Sequence, residues 1–217
     1  YGPKGFHDGV TVPLGAEPAS GVDKCIETVR RQMGNGADFI KIYADYRWTP
    51  GADSQPTFLQ EEIDAMVATA KSAGKYVVAH AGTPEGMKRA IQGGVETIEH
   101  GDGGTLEIFK MMKEKRKSFK MALASGVQIV FGGDVGVFPH GENYREMELM
   151  VDYGMKPLAV LKSATSDNAN MFHLNQLGRL KEGFLADIIA IKGNPVKDIS
   201  SVKNVSFVMK DGVIYKE

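Results

Sequence analysis

The chain alternates between two hydrophobic periods. Residues 23–33 and 58–72 carry apolar positions at helical spacing, as at Leu59, Ile63, Met66 and Ala70. Such spacing puts one apolar stripe on a helix face. Between and after them stand short β-type runs, Phe39-Ile40-Lys41-Ile42-Tyr43 and Tyr76-Val77-Val78-Ala79-His80. A third run spans residues 95–100, ending Thr97-Ile98-Glu99-His100, and a fourth, residues 127–131, leads into Gly132-Gly133-Asp134. Gly34-Asn35-Gly36, Gly74 and Gly93-Gly94 punctuate the helices. Pro84, at a first-turn position where its missing N–H is harmless, opens another helix that ends near Gly93. Residues 1–21 and 44–56 read as loops, residues 106–123 as helix, and helical segments follow around residues 144–151 and 157–171.

Strands alternating with helices predict βα units on a parallel sheet covered on both faces. Four in succession predict a β/α barrel or an open doubly wound sheet. The glycine fingerprint of dinucleotide sites and the P-loop are both missing, which disfavours the nucleotide-binding open sheets. The texture changes after Leu177. Apolar runs at residues 188–191, 205–209 and 213–215 follow, the last two separated by Lys210-Asp211-Gly212, a strong hairpin signal. The expected organisation is therefore α/β over residues 1–177 and a small all-β portion over residues 178–217.

Bulk properties narrow the function classes. At 217 residues and 42% hydrophobic, the chain can bury a sizeable core. Its net charge of −1, with no basic stripe interleaved with aromatics, argues against nucleic acid and anionic membrane surfaces as partners. No apolar run approaches the ~18 residues of a membrane span. Cys25 is the one cysteine, so no intramolecular disulfide forms. The chain opens at Tyr1, without an initiator Met or an export signal, which leaves cytoplasmic and exported locations both open.

Lys41, His80, His100 and Asp134 each stand at the carboxyl end of a predicted strand. In a parallel barrel those ends converge on one face, where the loops carry the active site. Taken singly, each has an ordinary structural reading: a hydrogen-bonded histidine, a solvated lysine, an aspartate capping a turn. Together, two imidazoles, a carboxylate and a lysine at one rim suit Zn or a neighbouring divalent metal.

Ile40-Lys41-Ile42-Tyr43, Val78-Ala79-His80-Ala81, Thr97-Ile98-Glu99-His100-Gly101 and Phe131-Gly132-Gly133-Asp134-Val135-Gly136 resemble, in order, the metal-site motifs of the amidohydrolase superfamily. The resemblance is nearest to its imidazolonepropionase-like and Xaa-Pro dipeptidase-type branch, and it covers essentially the whole chain. It implies a (β/α)8 TIM-type barrel, incomplete in this sequence, followed by the closing part of a small β-sandwich. Lys41 would be carboxylated and bridge two metals, His80 and His100 would bind one of them, and Asp134 would bind the other and shuttle a proton. The implied activity is metal-dependent hydrolysis of a C–N bond in a small-molecule substrate. Dipeptides or N-acyl amino acids come first, cyclic amides such as imidazolones second. Zn in a binuclear site is the expected cofactor, and homo-oligomerisation is left open.

The family's His-x-His pair has no counterpart here; His7, His140 and His173 stand alone. That departure keeps a non-catalytic binding or scaffold relative as the rival of another class. A Schiff-base barrel using Lys41 is the rival among enzymes, and it gives His80 and His100 no task. The resemblance places the His-x-His strand before Tyr1 and expects a further strand between His100 and Asp134. A segment missing near Lys115 is the expected reason, because residues 106–124 run as helix with no β-type interruption. His140, in Phe138-Pro139-His140-Gly141, and Tyr43, on the face of Lys41 by strand alternation, are candidate substrate contacts. His173 reads as structural, and the methionines at 111, 112, 147, 150 and 155 as core filling.

Overall fold

The computed structural model describes residues 16–103, 105, 123–124, 126, 128–134 and 140–217. The chain divides into two compact units, Tyr1–Val127 and Gln128–Glu217. The expectations for residues 106–122, including the missing segment near Lys115, lie outside the described residues.

In the first unit, α1 (Val22–Gly34) leads to β1 (Ile40–Tyr43), and β2 (Asp45–Arg47) and β3 (Ser54–Pro56) follow. Then come α2 (Gln60–Ser72), β4 (Val77–Ala81), α3 (Pro84–Gly93) and β5 (Thr97–His100). β1, β4 and β5 form a parallel sheet in that order. Ile40, Ile42, Val77, Ala79 and Ala81 share one sheet face by alternation and are buried with Ile63, Met66 and Val67 of α2 and Met87, Ala90 and Ile91 of α3. Burying side chains such as Ile63 and Met87 contributes roughly 1.5–3 kcal/mol each. The opposite face carries Lys41, Tyr43, His80 and Glu99.

Local signals fix these elements. Thr83 caps α3 by accepting from Gly86 N at 3.1 Å, with Pro84 in the first turn. The half of Glu62 that faces α2's own start accepts from Leu59 N at 2.7 Å, and its other oxygen accepts from Gly21 N at 2.6 Å, tying α1 to α2. Burial, with the Glu62 carboxylate nearby, pushes the Cys25 thiol above its ordinary value, so this cysteine is core.

Three expectations need correction. Residues 44–56 are not simply loop, because β2 and β3 pair antiparallel with Asp45 opposite Pro56. Residues 128–131 form no strand: Phe131 N donates to Ser163 O and Phe131 O accepts from Asn168 Nδ2, so side-chain and helix-end partners replace a ladder. The helical stretch 157–171 is two helices, since Ser163 and Thr165 turn their hydroxyls back on Val160 O and Leu161 O where the helix breaks.

The second unit holds α4 (Tyr144–Asp152), α5 (Pro157–Ser163), α6 (Ser166–Met171) and the antiparallel strands β6 (Ile188–Ile191), β7 (Val205–Lys210) and β8 (Val213–Lys216). A 3-10 turn at Ile199–Lys203 precedes β7 and packs on α4. Met150 and Met155 are buried with Val160 and Ala169, the core filling expected of them. Asp211 and Gly212, at φ 50° and 77°, make the tight β7–β8 turn that Asp-Gly predicts. The Asp211 N–H and Lys210 hold the Asp187 carboxyl below its usual range and pin this hairpin to the strand before it. Among the described residues, no helix is long and apolar enough to cross a membrane.

Candidate functional site

The parallel register sets Tyr43 beside His80 and His80 beside Glu99, three neighbours on one face across β1, β4 and β5. Lys41 lies on the same face two residues before Tyr43, and it forms an ion pair with Glu99. Its ammonium nitrogen also lies 5.7 Å from the centre of the Tyr43 ring, within cation–π range.

His100 should point away from this group, because it pairs with Ala81 on the other face. Its φ of 70° reverses that expectation. This left-handed geometry, uncommon outside glycine, ends β5 and turns the ring back to meet His80, with ring centres 4.6 Å apart. The two imidazoles are thus brought together by a departure from strand geometry.

His80 is the hub. Its ring packs against Tyr43 at 5.0 Å and Tyr46 at 5.9 Å between centres. Behind it lies Asp45, fully buried, with Oδ1 3.6 Å from His80 Nε2. Gly82 N donates to Asp45 Oδ1 at 3.1 Å, and Thr83 N and Thr83 Oγ1 donate to Oδ2 at 2.7 and 2.8 Å. A carboxylate without solvent survives only with such compensation.

Lys41, Tyr43, His80 and His100 therefore come together as a site. Asp134 and His140 belong to the second unit, where both are exposed, and Asp134 has φ 45°. His173, at φ 57°, closes the turn after α6, in keeping with a structural part. Asp45 and Glu99 were not anticipated as members of the site. Glu99 reaches the site face through the register of β5 on β4, a signal that lies between strands and not within one, whereas Asp45 looked like one polar residue in a loop.

Two adjacent imidazoles are a donor pair suited to a borderline-soft divalent cation. Among the described residues, no three His, Cys, Asp or Glu side chains gather as a ready-made cage. The pair accordingly fits part of a metal site, with the remaining ligands to come from groups outside that cluster.

The chain belongs to the amidohydrolase family, whose model matches residues 4–115 and again residues 110–215. Members of this family are generally metal-dependent. Among curated proteins, the chain is 30% identical over 245 residues to ochratoxinase of Aspergillus niger, covering 91% of this chain and 50% of that protein. Among solved structures, a Xaa-Pro dipeptidase with methionine bound in its active site is 34% identical, with a TM-score of 0.82 over 97% of this chain and 64% of that one. The crystal structure of the A. niger ochratoxinase is 28% identical, with a TM-score of 0.80 over 91% and 55% of the two chains. The chain spans about half the length of the curated relative it matches. The Xaa-Pro dipeptidase resemblance expected from the motifs is the one these structures bear out.

Proposed function

We propose that the protein hydrolyses an amide-type C–N bond of a small molecule, a dipeptide or an N-acyl amino acid, with a divalent metal of the Zn type. The carrying observation is the convergence of His80 and His100, 4.6 Å between ring centres, beside Lys41 in a chain of this family. The amide hydrolases among its relatives support the bond type. A matched Xaa-Pro dipeptidase with an amino acid in its active site supports the substrate class.

His80 and His100 would hold the metal, with Lys41 as a carbamate and Asp134 completing the set. When bound, the metal supplies Lewis-acid polarisation of the carbonyl and a more acidic water. Asp134 takes the proton of the attacking water and returns it to the leaving amine. Tyr43 and His140 orient the substrate. An eight-stranded barrel in the whole protein belongs to the same reading. So does an internal segment missing near Lys115, which draws support from the two-part family match meeting at residues 110–115. A 245-residue alignment, longer than the 217-residue chain, supports it too. The Schiff-base rival loses ground because it gives the adjoining His80 and His100 rings no task.

Elemental analysis of the purified protein dialysed against Zn should find bound metal, and the loaded protein should cleave members of a dipeptide and N-acyl amino acid panel. His80→Ala and His100→Ala should each lower the metal content at least several-fold. Unchanged metal in both variants, or no hydrolysis by loaded protein, defeats the proposal.

Lys41 should carry CO2 when metal is bound. Carboxylation needs the neutral amine and creates an anion, so it ends the ion pair with Glu99 and sets two like charges side by side. Bound metal would supply the positive charge that makes that state favourable. With 13C-labelled bicarbonate, a carbamate carbon resonance should appear in the loaded protein and vanish in Lys41→Ala. A loaded protein in which Lys41 remains a bare ammonium paired to Glu99 would contradict this.

A further inference from the structure

We infer that Asp45 is a positioning residue for His80: a buried carboxylate that keeps Nε2 protonated, so that Nδ1 is the donor nitrogen. The inference rests on the reading of His80 as a metal ligand.

The geometry has two parts. First, Asp45 is anchored. Its side chain is fully buried and held by Gly82 N, Thr83 N and Thr83 Oγ1 across both oxygens. Thr83 Oγ1 in turn accepts from Gly86 N, so the carboxylate is locked to the start of α3. Second, the oxygen that accepts from Gly82 N also faces His80 Nε2 at 3.6 Å. That is beyond a direct hydrogen bond, so the coupling is electrostatic, and burial strengthens it. A lone pair on Nε2 would face the anion and be repelled, whereas an N–H there is attracted. The neutral imidazole has one proton to place, so protonation of Nε2 leaves the lone pair on Nδ1.

Ring rotation offers little escape. Tyr43 and Tyr46 pack against the imidazole, and His100 stands at its edge. A neutral side-chain acceptor could have served the donors of the β4–α3 turn without the penalty of a buried charge. The charge is explained by what it faces. Metal-bound histidines commonly have the other ring nitrogen oriented by a carboxylate, and loss of that partner weakens metal binding about 10–100-fold.

The rival account is that Asp45 only staples the turn, and two substitutions separate the accounts. Asp45→Asn can turn its amide nitrogen toward His80 and favour a bare Nε2. Thr83→Val removes the hydroxyl bonds to Asp45 and Gly86 while leaving the charge. On full-length, metal-free protein with 15N-labelled histidine, held well above the ordinary histidine pKa, two-bond 1H–15N correlations report the tautomer of His80, assigned by loss of its signals in His80→Ala. Wild type should be protonated on Nε2. Asp45→Asn should move the population to Nδ1 and raise the Kd for Zn about 10-fold or more. Thr83→Val should melt at lower temperature yet keep both the tautomer and the Zn affinity.

A wild-type His80 protonated on Nδ1 overturns the inference, whether or not Asp45→Asn folds. So does an Asp45→Asn protein with unchanged tautomer, or a Thr83→Val protein that loses Zn affinity equally. A wild type that binds no Zn defeats the proposed function instead, and the tautomer of the metal-free protein still decides the part played by Asp45.

Discussion

Asp134→Asn should leave the fold standing and lower kcat on a cleaved dipeptide or N-acyl amino acid by about 10³-fold or more. The size follows from the proposed task. General acid–base catalysis by a placed side chain is worth roughly 10²–10⁴-fold, and an amide can neither accept the proton of the attacking water nor return it to the leaving amine. Loss of a metal ligand would add to that deficit. The fold should survive for equally local reasons. Asp134 is exposed with φ 45°, a conformation that asparagine tolerates as well as aspartate does. The segment leading to it is held at Phe131 by Ser163 O and Asn168 Nδ2, neither of which the substitution touches. Steady-state kinetics beside circular dichroism and melting of both proteins checks the result. A folded, fully active Asp134→Asn protein removes Asp134 from the chemistry.

Much of the site was legible because its signals are local. A lysine or histidine closing a β-type run needs no knowledge of neighbouring strands, so Lys41, His80 and His100 could be marked from the sequence. The Asp211-Gly212 turn was legible for the same reason: two positive φ values in succession suit few residue pairs. Glu99 was harder, because its value lies in register. Only pairing of His80 with Glu99 and of Tyr43 with His80 shows that one face holds all three. His100 meets His80 through a positive φ that no periodicity announces. Asp45 was hidden by its surroundings, since residues 44–56 are polar and the ribbon there has strands of three residues each. The β-rich run at 128–131 misled in the opposite direction. β propensity describes a fit to a pleated surface, and here Phe131 takes its hydrogen bonds from Ser163 and Asn168.

The same buried carboxylate makes Gly86 intolerant of a side chain. Gly86 lies in the first turn of α3, and a β-carbon there would come 2.1 Å from Asp45 Oδ2, 2.8 Å from its Cγ and 2.9 Å from its Cβ. Helix propensity alone says that Gly86→Ala should stabilise by up to about 1 kcal/mol. Sterics oppose it and should win. Asp45 cannot swing away, because Gly82 N, Thr83 N and Thr83 Oγ1 hold it and no solvent lies behind it. Overpacking a tight interior costs about 1–3 kcal/mol. Tearing a buried charge from its partners costs about 3–5 kcal/mol. The net expectation for Gly86→Ala is a loss of about 3 kcal/mol, read from urea unfolding of the metal-free protein. The cause is tested by the double variant. With Asp45→Gly in the background all three contacting atoms, Oδ2, Cγ and Cβ, are gone, so adding Gly86→Ala should then be neutral or slightly stabilising. A single Gly86→Ala protein as stable as wild type, or an equal loss in the Asp45→Gly background, would show that the Asp45 side chain does not set the limit at this turn.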